Sequence, residues 1–308
     1  MQRGVRLRRS VLSVPGNSQK MIDKSCTLAA DMVMLDLEDS VPVAEKDQAR
    51  TTLVQGLHSR SWPGKTLGLR INDLESQFAY RDVIDVIEAA GELVDVLVIP
   101  KVSSATEVAV VDILLSQIEK RVGLSRQIGL EASIETAQGM LNAAEIAGAS
   151  PRLESLIFGI ADYGASLGMP SRGVSGHGDA ESGSSSHRWH FPLSRMVMAA
   201  KAAGLQAIDA PYGDFRDEDG LQRSCSLSRS MGYDGKWAIH PGQIEAINAA
   251  YTPEEEDVRR AEEILKAYAA SREKGSGTLA LDGKMIDRAS VRLAEQTAAK
   301  WEQIRCRG

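Results

Sequence analysis

The sequence predicts an α/β protein built on a (β/α)8 TIM barrel with a C-terminal helical extension. Three observations predict this fold: eight short apolar runs recur along the chain, segments of helical periodicity separate them, and runs such as VMLDL and VLVIP are apolar at almost every position. Nearly continuous apolar runs are typical of parallel strands covered on both faces. Eight strand–helix units in about 240 residues match the usual barrel length of roughly 250 residues, with a doubly wound open sheet as the alternative.

The predicted strands are Ser10–Val14, Met32–Leu37, Thr66–Ile71, Asp95–Ile99, Ile128–Ile134, Ser155–Ile160, Gln206–Asp209 and Lys236–His240. Helical periodicity follows over segments that include Ser18–Ala30, Phe78–Ala90, Ala105–Arg121, Leu193–Ala203 and Asp219–Met231. Between the sixth strand and its helix lies a stretch rich in Gly and Ser, residues 163–191. A long loop at the active face of a barrel is a natural lid. We therefore predict that residues 1–250 form the catalytic barrel domain.

The remaining residues, 251–308, are predicted to form a helical extension. Thr252–Arg272 has Pro253 and three acidic residues at its start, which is typical of a helix N-terminus. A Gly-rich link, residues 275–283, leads to a final helix over Met285–Arg305. This segment is too small for an independent domain, so we expect an appendage or lid that contacts its own barrel or a neighbouring subunit.

Composition limits the class of protein. The 42 acidic and 36 basic side chains give a net charge of -6 and are mixed along the chain, which argues against nucleic-acid binding. The three cysteines are far apart without metal-ligand spacing, so we expect reduced thiols in a cytoplasmic protein. No apolar run approaches the ~20 residues of a membrane helix, and no signal peptide is evident. The N-terminal arginines, Arg3, Arg6, Arg8 and Arg9, form either a solvated tail or an anion site for a phosphate-bearing ligand.

Polar and ionisable residues end the predicted strands, where barrel enzymes place their catalytic groups. They are Asp36 with Glu38 and Asp39, Arg70 with Asn72, Lys101, Glu135, Asp162, Asp209 and His240. Any one of them could be a helix cap or the start of a solvated loop. Their repetition around one barrel mouth favours an active site, although a lone histidine such as His240 is more often structural than catalytic.

Glu135 and Asp162 end adjacent strands, so their carboxylates can converge. Two carboxylates with room for water and substrate oxygens are typical of a magnesium site, because Mg²⁺ prefers six hard oxygen ligands. The alternative is a pair of capping or salt-bridged acids.

Arg70 ends an otherwise apolar strand and points inward. Its guanidinium suits a substrate carboxylate or a developing enolate oxygen, or it forms a buried ion pair with Asp36 or Glu38. The acids Asp36, Glu38 and Asp39 are candidates to orient metal-bound water, the arginine or Lys101.

Several motifs resemble the citrate lyase β-subunit-like branch of the HpcH/HpaI aldolase superfamily, in order and over nearly the whole chain. They are RSVLSVPGNSQKMIDKS (9–25), VMLDLEDSV with EKDQAR (33–50), LRIND (69–73), IPKV (99–102), IETAQGM (134–140), FGIADYGAS (158–166) and KWAIHPGQI (236–244). Within the branch, YRDVIDVIE, RLESLIFGIADY, GDFRDEDG and LDGKMID are most similar to malyl-CoA lyases, including those that also cleave β-methylmalyl-CoA.

The resemblance implies Mg²⁺, with Mn²⁺ as a substitute, held by Glu135 and Asp162. It also implies substrate oxygens near Arg70 and at the backbone of the GIAD turn, formed by Gly159, Ile160, Ala161 and Asp162. The Gly/Ser-rich loop 171–191 departs from the family pattern and puts substrate identity in doubt.

The resemblance further implies a CoA thioester substrate with its phosphates near Arg9, Lys20 or Lys24. A tail aspartate from a neighbouring subunit completes such sites, and Asp287 in MID matches it, with Asp282 as the competing choice. Such sharing implies a homo-oligomer, a trimer or a hexamer.

The implied activity is reversible Claisen chemistry, in which (S)-malyl-CoA gives acetyl-CoA and glyoxylate, and β-methylmalyl-CoA gives propionyl-CoA and glyoxylate. Arg70 and Asp287 are the expected catalytic residues, and Asp287 is the expected base. The alternatives are a malyl-CoA thioesterase, a citramalyl-CoA lyase and a non-catalytic subunit resembling the citrate lyase β-chain.

Overall fold

The chain closes a parallel barrel of eight strands, β1 to β8 in sequence order, in a computed structural model that describes residues 5–170, 177, 188–273, 279–281 and 284–307. The strands are β1 Ser10–Pro15, β2 Met32–Asp36, β3 Thr66–Arg70, β4 Val96–Ile99, β5 Gly129–Ile134, β6 Leu153–Phe158, β7 Gln206–Asp209 and β8 Gly235–Ala238. All eight predicted strands are present, and the predicted (β/α)8 barrel is confirmed.

Helices follow the strands. In the first part of the chain they are α1 Gln19–Ser25, α2 Lys46–Ser59, α3 Ala79–Ala90, α4 Ala105–Val122, α5 Ala137–Leu141, α6 Ala143–Ala147, α7 Ile160–Ser166, α8 His190–Ala202, α9 Glu218–Met231 and α10 Ile244–Tyr251. Among the described residues, no helix combines the length and apolar character needed to cross a membrane.

The chain divides into two compact units, Met1–Ala250 and Tyr251–Gly308. The second contains α11 Glu255–Glu273, a short antiparallel pair of strands, β9 Leu279–Leu281 and β10 Lys284–Ile286, and α12 Arg288–Arg305. The prediction of a helix from Met285 was therefore wrong at its start. Asp287 instead precedes α12, and its carboxylate accepts a hydrogen bond from the Ser290 backbone N–H at 2.8 Å.

The sixth strand and the helix after it also differ from their prediction. The strand was expected to reach Ile160, but β6 ends at Phe158 and Ile160 already begins α7. Gly159 lies between them with φ −100° and ψ 87°, and it is the residue at which the strand gives way to the helix. The predicted loop 163–191 thus begins inside a helix, and most of residues 171–187 lie outside the described residues.

Apolar side chains fill the middle of the barrel: Val11, Met32, Met34, Val96, Val98, Ile157, Ile208 and Trp237. Gly68 on β3 leaves space for this packing, since a Cβ atom there would lie 2.2 Å from Met32 Cε. Branched and sulfur-containing side chains at alternate positions of parallel strands are typical of a packed barrel interior.

A buried ion pair closes the amino-terminal end of the barrel. Arg8, which precedes β1, is 1% exposed and its Nε donates to Glu131 at 2.6 Å. Its Nη2 pairs with Glu154, and its Nη1 donates to Gln206. Glu131 is opposite Val98 in the register of β4 and β5, so it shares the inner face with the apolar core. One arginine therefore pairs with two acids at the base of the barrel.

We expect Arg8→Met to lower the free energy of unfolding by about 3–5 kcal/mol, because Glu131 and Glu154 lose a buried partner. Arg6→Met is the matched control, since Arg6 also pairs with Glu154 but its side chain is 29% exposed. That change should cost about 1 kcal/mol or less. Urea denaturation of both variants tests this, and equal losses would contradict the assignment of Arg8.

Candidate active site

The predicted site residues meet where the barrel strands end. Asp36 and Arg70 are the last residues of β2 and β3 and are register partners. Glu135 directly follows β5, and Lys101 follows β4 after one intervening residue. Because carboxyl ends of parallel strands share one edge, these side chains surround the same barrel mouth.

Arg70 is held along its edge by acids. Its Nε and Nη2 donate to the two oxygens of Asp36 at 2.6 and 2.7 Å, and its Nη1 lies 2.8 Å from Glu38 and 3.5 Å from Asp39. Asp36 is fixed in turn, because it accepts the backbone N–H groups of Glu38 and Ser40. The buried ion pair considered as an alternative role for Arg70 is therefore present.

Two lysines balance the acids of the β2 loop. Lys101 Nζ pairs with Glu38 and Asp39, and Lys46 Nζ donates to the carbonyls of Leu37 and Glu38 at 2.6 Å. Lys101 has φ 51°, and it is the one residue other than glycine with positive φ among those described. A left-handed backbone costs energy for a side chain of this size, and such strain concentrates at functional sites.

Glu135 lies against the backbone of the GIAD turn. It is 3% exposed, and a Cβ atom at Gly159 would lie 2.2 Å from its Cγ and 2.8 Å from its Oε2. Only a glycine at this position lets the carboxylate approach so closely. Asp162 follows in the first turn of α7, so both acids border the same turn.

The mouth raises the pKa of two of its acids. Burial raises the pKa of Glu38 to about 7, aided by Asp39 and opposed by Arg70. Burial also raises the pKa of Glu135 to about 7, and the negative charges of Glu38 and Asp162 add to the effect. Asp162 is therefore close enough to interact electrostatically with Glu135. Additional positive charge at this position would favour the ionised forms.

The donor set fits a divalent cation by its charge. Five carboxylates surround the mouth: Asp36, Glu38, Asp39, Glu135 and Asp162. Three cations oppose them, Arg70, Lys46 and Lys101, so with all groups ionised the excess is two negative charges. Oxygen ligands are what Mg²⁺ prefers, usually one or two carboxylates together with water. The described part of the chain contains no group of three or more acids, histidines or cysteines that could hold a metal ion.

The other predicted residues belong to other elements of the chain. Arg9 precedes β1, at the opposite end of the barrel, and its guanidinium binds Asp31 at 2.9 Å, so it does not join the mouth. Lys20 and Lys24 are exposed on α1, which follows β1 on the mouth side. Asp287 belongs to the second unit, where it caps α12, and the competing Asp282 lies outside the described residues.

Two further strand-end residues also stay out of the mouth. The neighbour of Asp209, Ile208, points into the core, so Asp209 points outward and pairs with Lys236 at 2.6 Å and with His177 at 2.7 Å. His240 caps the turn that follows β8, where its Nδ1 accepts the Gly242 N–H at 3.1 Å.

Sequence reasoning missed two residues that contact this site. Lys46 lies in the EKDQAR segment, but nothing in its spacing shows that its ammonium reaches the β2 loop. Trp237 occupies an inward position on β8, and the guanidinium carbon of Arg70 lies 5.3 Å from its ring centroid. Successive side chains of a strand point alternately inward and outward, and this alternation along β8 could have indicated the inward position of Trp237.

Comparisons with known proteins agree with this architecture. The family model for HpcH/HpaI aldolase/citrate lyase matches residues 9–241. A second model, described as a C–C bond lyase of the TIM-barrel fold, matches residues 192–300.

Individual relatives cover almost the whole chain. An L-malyl-CoA/β-methylmalyl-CoA lyase of Cereibacter sphaeroides is 38% identical over 296 residues, covering 94% of this chain and 93% of that protein. A (3S)-malyl-CoA thioesterase of the same species is 37% identical and covers 96% and 95%. The crystal structure of protein CitE from Mycobacterium tuberculosis, in complex with magnesium, acetoacetate and coenzyme A, aligns with a TM-score of 0.74 at 29% identity and covers 96% and 98%.

We expect Gly159→Ala to lower the free energy of unfolding by about 1–3 kcal/mol, because the added methyl group overlaps the Glu135 side chain. Gly164→Ala on the adjoining helix, α7, is the control, because its Cβ would lie 3.5 Å from its nearest neighbour, Trp189. That variant should be neutral or more stable by about 0.5–1 kcal/mol. Chemical denaturation of both variants measures the difference, and an unperturbed Gly159→Ala would refute the close approach of Glu135.

Proposed function

Because the chain belongs to the HpcH/HpaI aldolase/citrate lyase family, we propose that it is a Mg²⁺-dependent lyase of the malyl-CoA lyase type. Its proposed reaction is the reversible cleavage of (S)-malyl-CoA to acetyl-CoA and glyoxylate, with β-methylmalyl-CoA giving propionyl-CoA and glyoxylate as a second reaction. The observation that carries the proposal is the barrel mouth, where Glu135 and Asp162 border one turn within an excess of two negative charges.

Glu135 and Asp162 would hold the metal, with Mn²⁺ as a substitute for Mg²⁺. When bound, the metal supplies a Lewis acid for the oxo group of the 2-oxo acid. The backbone of Gly159, Ile160 and Ala161 borders the same position and suits the carboxylate of that acid, because N–H groups at a helix N-terminus favour anions.

Arg70 would stabilise the enolate oxygen of the acyl thioester. Asp36 occupies its Nε and one side of Nη2, which fixes the guanidinium without using all five of its N–H donors. Such a preorganised donor lowers the cost of forming the enolate. Glu38, Asp39 and Lys101 hold the arginine and the β2 loop in this arrangement.

Asp287 of a neighbouring subunit would move the proton. In the condensation direction its carboxylate takes the proton α to the thioester, and in the cleavage direction it returns the proton to the enolate carbon. This assignment implies a homo-oligomer, a trimer or a hexamer. Lys20 and Lys24 on α1 remain candidates to bind the CoA phosphates. Arg9 is a weaker candidate, because its guanidinium is already paired with Asp31.

The second candidate function is a malyl-CoA thioesterase, favoured by the similarity to the thioesterase of Cereibacter sphaeroides. The two reactions differ in their products. C–C cleavage releases glyoxylate and keeps the thioester bond, whereas hydrolysis releases malate and free CoA.

The deciding experiment offers malyl-CoA, β-methylmalyl-CoA and citramalyl-CoA to the purified chain with and without Mg²⁺. We expect glyoxylate from the first two only with the metal, and at least about 100-fold slower turnover in Glu135→Gln and Asp162→Asn. Glu145→Gln, an exposed glutamate on α6, is the control and should keep full activity. Free thiol with malate would identify the thioesterase, pyruvate would identify citramalyl-CoA lyase, and inactivity of the chain alone would favour a non-catalytic subunit.

We expect Asp287→Asn to lower kcat by roughly 10²–10⁴-fold while the KM for the thioester changes little, because asparagine caps a helix as well as aspartate but cannot accept the proton. Glu295→Gln, an exposed change on the same helix, is the control. Unchanged turnover in Asp287→Asn would assign the base to another group.

Mixing two inactive variants tests whether the active site is shared between subunits. Oligomers reassembled from Asp287→Asn and Glu135→Gln subunits should regain part of the activity, because some sites then receive an intact barrel and an intact aspartate. Absence of recovery would contradict a base donated by a neighbouring subunit.

A further inference from the structure

Trp237 contacts Arg70 across the interior of the barrel. It is the third residue of β8, is 6% exposed and belongs to the apolar core. Strands β1 and β2 separate β8 from β3, which carries Arg70, so the contact spans the barrel. The guanidinium carbon lies 5.3 Å from the indole centroid, within the ~6 Å range of a cation–π interaction.

Packing alone does not account for a tryptophan here. The Trp237 Nε1 atom is buried and has no hydrogen-bond partner in the described part of the chain. A buried N–H without an acceptor is costly, and a phenylalanine would supply an apolar ring without that cost. The indole has one advantage over a phenyl ring, which is its stronger attraction for a cation over its face.

The acids that bind the Arg70 guanidinium all come from one part of the chain. Asp36, Glu38 and Asp39 all bind the edge of the group, and all three belong to β2 or to the loop that follows it. Contacts from one strand and its loop fix the direction of the N–H bonds less well than contacts from two separate strands. Trp237 supplies the second contact from β8, with the Arg70 guanidinium carbon lying over its indole ring.

We propose that Trp237 is a positioning residue for Arg70, holding the guanidinium plane in the orientation in which its remaining N–H groups meet the substrate oxygen. The catalytic part of this assignment rests on the proposed lyase function, since it concerns the oxygen that Arg70 would bind. The positioning itself does not depend on which substrate is used.

The test compares Trp237→Phe, which keeps an aromatic face, with Trp237→Leu, which keeps only apolar volume. In the malyl-CoA assay we expect Trp237→Leu to lower kcat by roughly 10–100-fold with less than about a twofold change in the KM for the thioester, because Arg70 is misplaced only slightly. Trp237→Phe should recover most of kcat. Trp62→Leu is the control, since Trp62 donates its N–H to Leu57 at the end of α2, and it should keep the wild-type kcat.

A second readout follows Arg70 directly. The guanidinium Nε–H signal of Arg70 in NMR spectra should be shifted by the indole ring current in the wild-type protein. It should move and broaden in Trp237→Leu while the Asp36 pair keeps it observable. An unchanged Arg70 signal, or a loss of stability with kcat per folded molecule unchanged, would overturn the proposal. If the wild-type chain cleaves none of the thioesters but the Arg70 signal responds as expected, the lyase function fails and the positioning stands.

Discussion

A cluster of carboxylates at one end of the barrel, three of them buried, is the constraint on which the site depends. Ionised acids taken out of water are costly unless cations and hydrogen bonds compensate them. Arg70 and two lysines compensate most of the charge, and the raised pKa values of Glu38 and Glu135 mark what remains. The strained backbone of Lys101 and the absence of a side chain at Gly159 both serve this arrangement, since each brings a charged group closer to the others.

The two ends of the barrel use buried arginines differently. At the amino-terminal end, Arg8 is surrounded by Glu131, Glu154 and Gln206, and Arg6 also pairs with Glu154. At the carboxyl end, Arg70 faces more acids than it can neutralise. The apolar layer between them separates the ion pairs of Arg8 from the acid-rich mouth, where we propose that a cation binds. This division agrees with the general separation of stability and catalysis between the two ends of such barrels.

The sequence predicted the barrel well because strand ends are local features. Apolar runs and the polar residues after them identified Asp36, Arg70, Lys101 and Glu135 before any contact was known. Errors arose where a residue's position depends on distant parts of the chain. Clustering with other arginines suggested an anion site at Arg9, but the direction of β1 places it opposite the mouth. Lys46 and Trp237 were missed because their partners lie on other strands or loops, and no spacing in the sequence reports such contacts.

A weak base requires a strong electrostatic site. Hydrogen bonds from the Ser290 backbone and side chain lower the pKa of Asp287, because they favour its ionised form. Such a carboxylate takes a proton from carbon only if the resulting enolate is stabilised at once. In the proposed reaction that stabilisation must come from the barrel, through an arginine that is paired with Asp36 and that lies over the ring of Trp237. The low basicity of Asp287 therefore makes the positioning of Arg70 a requirement of the proposed mechanism.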